Sequence, residues 1–124
     1  MNTGEEQRVS LVTGGAIRVG AAIVRELVAR GIPVTDVVMA AHHGSASSSG
    51  RDWVVATQAG HALAQAGHLN RFRHPAPAVE RRWLRAGTAF WRSDRDGAVM
   101  AVSSTQGLGV WSQRDRGRRY WHGR

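Results

Sequence analysis

The chain has no cysteine and no lysine; all seventeen of its basic residues are arginine. The missing cysteines exclude disulfides, thiolate-bound zinc, iron–sulfur clusters and a thiol nucleophile. Only His, Asp and Glu are left as metal ligands. The missing lysines exclude Schiff-base chemistry, the lysine of a phosphate-binding P-loop and every catalytic pair built on an ammonium group. No apolar run approaches the ~20 residues needed to span a bilayer. The opening residues, Met1 to Glu6, are acidic, whereas a secretory leader opens with basic residues followed by an apolar stretch. The chain as written is therefore expected to be cytoplasmic, with no transmembrane segment.

What is present suits a small folded domain. A length of 124 residues is enough for one compact domain. Apolar residues make up 42%, enough for a core, and charged residues make up 21%, too few for wholesale disorder. The net charge of +8 is unevenly placed. Residues 1–70 and 86–113 are each neutral, while 71–85 and 114–124 each carry four net positive charges. Two basic segments suit a polyanionic partner or a solvated surface.

The pattern alternates strands and helices. Val9 to Val12 predicts a short strand ending in Thr13-Gly14-Gly15. Ile17, Ala21, Val24 and Val28, with Leu27 beside them, predict a helix over 16–30, stopped by Gly31 and Pro33. Val34 to Ala41 reads as a strand buried on both faces. A helix is expected over 51–58, capped by Ser49 or Asp52, then a strand over 61–66, a loop over 67–77 and a helix over 78–86. Strands are expected over 88–92 and 98–103, joined by a hairpin turn at 93–97 in which Asp94 and Asp96 serve turn chemistry. Trp53, Trp83 and Trp91 read as core or subunit-contact residues. The expected architecture is α/β, in the order β-α-β-α-β-α-β-β. Residues 1–104 form one domain in this reading, and 105–124 a disordered basic tail rich in Arg, Gly and Trp.

Three groups of residues could carry chemistry. The first is His42-His43-Gly44-Ser45, at the expected carboxyl end of a strand, where ligands collect in α/β sheets. Strand alternation would turn the two imidazoles to opposite faces, so one of them at most would face a metal. The second is Thr13, Gly14, Arg18 and Gly20, a strand-to-helix turn whose glycines would let a pyrophosphate approach and whose Arg18 could reach a 2′-phosphate. The third is Arg combined with aromatic or imidazole groups: Arg71, Arg73 and His74 in the middle loop, and Trp111, Arg118, Arg119, Tyr120 and Trp121 near the end. Such sets suit phosphates and exposed bases.

The segment Asp36 to Ser49, the segment Ala66 to Val79 with its Asn70-Arg71-Phe72-Arg73-His74-Pro75, and Ser93-Asp94-Arg95-Asp96-Gly97-Ala98 stand in the order of three motifs. Together they resemble the metallo-β-lactamase-like domain of ComEC-type competence proteins, over about residues 34–104. The resemblance implies a partial metallo-β-lactamase-like layer and a part in DNA uptake or processing. It also implies a metal-dependent hydrolase or nuclease using zinc or manganese, in a family whose full-length members sit in the inner membrane. This chain matches only the final His ligand position, with His42 or His43. It has no His-x-His-x-Asp-His, and Gly15 stands where the superfamily has the Asp of Thr-Gly-Asp. A fragment or variant with incomplete catalytic equipment is expected.

The Thr13–Gly20 turn resembles the cofactor turn of short-chain dehydrogenases, most closely the pteridine reductases. That implies an NADP-binding remnant as an alternative. A non-catalytic basic module binding single-stranded DNA is a further one. A partial sheet would also expose an edge through which copies could associate.

Overall fold

The computed structural model describes residues 18–31 and 35–117. Thr13, Gly14, Arg118, Arg119, Tyr120 and Trp121, and the strand expected over 9–12, lie outside the described residues.

Helix α1 (Arg18–Ala29) contains Gly20 and packs against α2 (Arg51–Thr57). Its buried contact is Val24, with Leu27 half-buried and Val28 exposed. The centre of a three-stranded sheet follows: β1 (Val37–Met39), β2 (His61–Ala64) and β3 (Ala89–Arg92), all parallel and in that order. Parallel neighbours need long crossovers. Helix α2 supplies the first crossover and α3 (Pro77–Arg85) the second, and these two helices pack on each other. The α/β class read from the alternation is therefore the observed one.

Local chemistry explains the boundaries. Pro77 opens α3 at a position where its missing N–H costs nothing, and Gly87 follows the helix at φ 82°. Gln58, at φ 49°, closes α2. The residue capping α2 is Gly50 rather than Ser49 or Asp52, and no side chain caps it. Alternation along β2 turns Ala62 and Ala64 inward. There they meet Phe90, Val54, Val79 and Trp83. Trp83 is completely buried, and Trp53 meets it edge-on at 5.6 Å between ring centroids. Small alanines on the strands leave room for one large ring beneath the helices. On the opposite face His61, Leu63 and Trp91 are half-buried, and Trp91 Nε1 donates to His61 Nδ1 at 3.1 Å.

Three expectations need correcting. The strand read as buried on both faces is not fully buried: Val37 and Val38 are half-buried and Met39 is exposed, and among the described residues β1 pairs only with β2. The segment 93–97 is no hairpin turn. Ser93–Asp96 form a single helical turn, α4. Asp96 folds back to accept the Arg92 backbone N–H at 2.8 Å, and β3 keeps its parallel partner. Lastly, the expected disordered tail contains structure. Strand β4 (Val99–Ser104) pairs antiparallel with β5 (Gly107–Ser112), across the two residues Thr105 and Gln106. A short helix, α5 (Gln113–Arg116), follows, with Ser112 accepting the Asp115 N–H. Gly107, at φ 123°, permits the turn. The Arg116 guanidinium covers the Trp111 ring at 4.2 Å.

The carboxyl end of β3 is locked by charge. Arg92 donates to Asp94 at 2.7 and 3.0 Å and to Glu80 at 3.0 Å. Arg95 reaches Glu80 at 2.9 Å and Asp96 at 3.0 Å. Hydrogen bonding from Arg92 holds the Asp94 carboxyl below its usual range, and hydrogen bonding to Asp94 holds Arg92 above its own. A carboxyl lowered by folding contributes stability that is present above its unfolded value, near 4, and lost as pH falls through the lower folded value. Asp94→Asn is therefore expected to cost about 1 kcal/mol at neutral pH in urea unfolding. The gap between variant and parent should close in acid; an equal gap at about pH 2.5 would show that the carboxylate charge is not the cause.

Among the described residues no helix is long and apolar enough to cross a membrane.

Candidate functional site

The carboxyl ends of all three parallel strands open on one cleft of about 530 Å³. His43 comes from the turn after β1, Gln65, Ala66 and Gly67 from the exit of β2, Asn70, Phe72 and His74 from the following loop, and Ser93 from the exit of β3. Pure topology brings these segments together, since parallel strands place their carboxyl ends on the same rim.

The two adjacent histidines follow the carboxyl end of β1 but are not in extended backbone. Ala41–Gly44 form a 3-10 turn, and His42 and His43 both take left-handed backbone, at φ 51° and 55°. The alternation expected of a strand does not apply, and both imidazoles are exposed. Left-handed backbone is costly for residues with a Cβ and must be held by its surroundings. Ser45 N–H donates to the His42 carbonyl at 3.0 Å, and His42 Nδ1 shares a hydrogen bond with Ser45 Oγ at 3.1 Å. His43 Nδ1 lies 2.9 Å from the Gln65 carbonyl. A carbonyl only accepts, so this contact places the proton on Nδ1 and leaves Nε2 as the lone-pair nitrogen of the neutral ring.

Asn70 organises the other wall. Its side-chain amide donates to the Gly67 carbonyl at 3.0 Å and the His74 carbonyl at 2.8 Å, and its oxygen accepts the His74 N–H at 2.8 Å. A single side chain thus closes the loop on itself. Phe72 is left 63% exposed, stacked on His74 at 5.7 Å with the Arg71 guanidinium 4.6 Å from its ring centre. A planar partner could reach this ring by displacing the Arg71 guanidinium. The His74 ring lies 6.2 Å from that of His42, and its Nδ1 is buried with no partner among the described residues. Ser93 Oγ ties the rim together, donating to the Ala66 carbonyl at 2.9 Å and accepting the Ala66 N–H at 2.8 Å.

Of the residues expected from sequence, His43 and His74 line this cleft, His42 lies beside them with its ring 6.2 Å from that of His74, and Arg71 and Arg73 are exposed on the cleft's loop. Gly20 lies within α1, which contributes no described residue to the cleft lining. Asn70, Phe72 and Ser93 were missed as site residues. Ser93 follows a strand end, and assigning β3 to the parallel sheet would have placed it on the rim.

The donors do not fit a metal centre on their own. A zinc or manganese site takes three or more protein ligands, and among the described residues no group of three or more His, Asp or Glu is placed to hold an ion. The cleft offers one oriented imidazole, main-chain polar groups, an exposed ring and neighbouring guanidinium groups. That chemistry binds and orients.

No family model and no solved structure matches the chain. The chain is similar to the Competence protein ComA of Neisseria gonorrhoeae: the two are 34% identical over 65 residues, which cover 52% of this chain and only 9% of that protein's length.

Proposed function

We propose that this chain is a piece of a ComEC-like competence protein domain of the metallo-β-lactamase type, and that its cleft contacts single-stranded DNA during uptake. The similarity to ComA supports the competence link. The observation that carries the DNA reading is the exposed Phe72 between Arg71 and Arg73, on a loop stapled shut by Asn70. An unstacked base can take the place of the Arg71 guanidinium on the ring, leaving Arg71 and Arg73 for the flanking phosphates. His43 fits the final ligand position of the resembled family better than His42 does, because its Nδ1 is committed to a carbonyl. A zinc or manganese ion at His43 would need further ligands from beyond the described residues. No reaction step is assigned to this chain.

Anisotropy of a fluorescent single strand at several salt concentrations tests the reading. Phe72→Ala should weaken binding about tenfold, the value of roughly one base stack. Arg71→Ala with Arg73→Ala should flatten the dependence of log K on log salt by about 1.4, at roughly 0.7 for each phosphate contact on a single strand. Binding indifferent to all three changes would remove the cleft as the DNA site. Hydrolysis should not accompany binding.

A further inference from the structure

A second groove, of about 450 Å³, lies between α2 and α3, with Arg51, Arg81, Arg82 and Arg85 along it and Val54 and Val55 between them. Helical spacing builds it. Arg81, Arg82 and Arg85 share one face of α3, while Val79 and Trp83 take the opposite face into the core. Arg51 starts α2 on the same side as Val54 and Val55.

The groove carries a concentrated positive charge that no described carboxylate neutralises. Arg82 is anchored, donating to the Ser49 carbonyl at 2.6 Å and the Ser48 carbonyl at 3.3 Å. The side chains of Arg51, Arg81 and Arg85 are exposed and make no ion pair or hydrogen bond with any described residue. No carboxylate among the described residues lines the groove. The acid on α3, Glu80, is turned away and occupied by Arg92 and Arg95. Like charges so placed repel one another, and a fold that spends its nearest carboxylate elsewhere leaves them for an external anion. Guanidinium forks fit phosphate oxygens, and the floor between them offers only apolar side chains, with nothing to read a base edge.

We propose that this groove is a phosphodiester track that holds the backbone of a nucleic acid strand without regard to base. The proposal rests on the DNA reading above and adds a site separate from the histidine cleft. The two sites ask for different parts of the same ligand. The cleft requires a base to stack on Phe72; the groove requires only consecutive phosphates.

An oligothymidylate and an abasic strand of equal length, both fluorescent, separate them by anisotropy. The variant Arg51→Gln/Arg81→Gln/Arg85→Gln keeps Arg82, which the fold uses. It should bind both strands about tenfold more weakly at low salt and flatten the salt dependence by about 2, at roughly 0.7 per lost contact. Lysines at the same three positions should restore most of the slope, and circular dichroism should match the parent throughout. Phe72→Ala should weaken the thymidylate strand alone. If the triple Gln variant binds both strands as the parent does, the groove proposal falls while the cleft reading stands. If it loses both strands and Phe72→Ala changes nothing, the cleft reading falls and the groove stands. If the parent binds neither strand at low salt, or binds only vesicles of anionic phospholipid through these arginines, the nucleic acid assignment is overturned.

Discussion

Trp83→Ala should lower the stability of this chain by about 4 kcal/mol, the usual cost of removing a large buried ring from a core that cannot close over the gap. Trp83 is fully buried, and it is the largest such side chain among the described residues. The strand residues nearest in the core are Ala62, Ala64 and Phe90. Alanines are already minimal and cannot extend into the space, so little relaxation is available. Against a typical stability of roughly 5–15 kcal/mol, such a loss removes a large share of the total. Urea unfolding followed by circular dichroism measures it. Leu84→Ala, at the adjacent and 53% exposed position, is the control and should stay within about 0.5 kcal/mol of the parent. A Trp83 variant as stable as that control would mean that the α2–α3 layer does not depend on its ring.

The second large effect is at Gly44, and it should reach the cleft as well as the fold. Gly44 takes φ 78°, and a Cβ added there would sit 2.5 Å from Pro75 Cβ and 3.1 Å from Pro75 Cα. Neither atom is the end of a flexible side chain, so one backbone must move. The same two segments are joined by the Ala76 N–H, which donates to the Gly44 carbonyl at 2.8 Å. Gly44→Ala should therefore cost about 3 kcal/mol, from left-handed strain and overlap together. Because it drives the histidine turn from the Asn70 loop, single-strand binding should weaken with it. Gly87→Ala separates the two causes. Gly87 also has a left-handed backbone, at φ 82°, but nothing lies within 4 Å of its added Cβ. Strain alone, about 1 kcal/mol, is expected there. Equal losses at the two glycines would show that the approach to Pro75 is not tight in solution.

Punctuation explains how much of the fold could be read from the sequence. Gly50, Gly60, Pro77 and Gly87 bracket α2, β2 and α3, and the observed ends of those elements fall within two residues of the expected ones. The segment Ser93–Gly97 has hairpin composition, but its aspartates are recruited by Arg92 and Arg95 to build a helical turn. No local pattern announces that, because the competing partner, Glu80, sits far along the chain on α3. Strand β5 is masked by Gly107, Gly109 and Ser112, which are poor strand formers taken singly. Its pairing with β4 supplies what its composition does not. The site was legible as chemistry rather than as geometry. The histidines and the Asn70–His74 loop stood out as residue types, but the left-handed turn that presents His42 and His43 depends on a carbonyl 22 residues further on. The phosphate groove was legible only as net charge, because which arginines are free is decided by where Glu80 and Arg82 are engaged.

The side chains that hold the cleft rim, and the arginine that anchors the α2–α3 groove, bond almost entirely to main chain. His43 leans on the carbonyl of residue 65, Asn70 on the carbonyls of 67 and 74, Ser93 on both backbone groups of 66, and Arg82 on the carbonyls of 48 and 49. Every amino acid has a backbone carbonyl. These four anchors therefore place no demand of their own on the side chains at 48, 65 and 66. Divergence can then run far ahead of change in shape: two chains could share this rim and its crossovers with few identical letters. A search for kin is better aimed at the four anchors and their spacing than at overall identity.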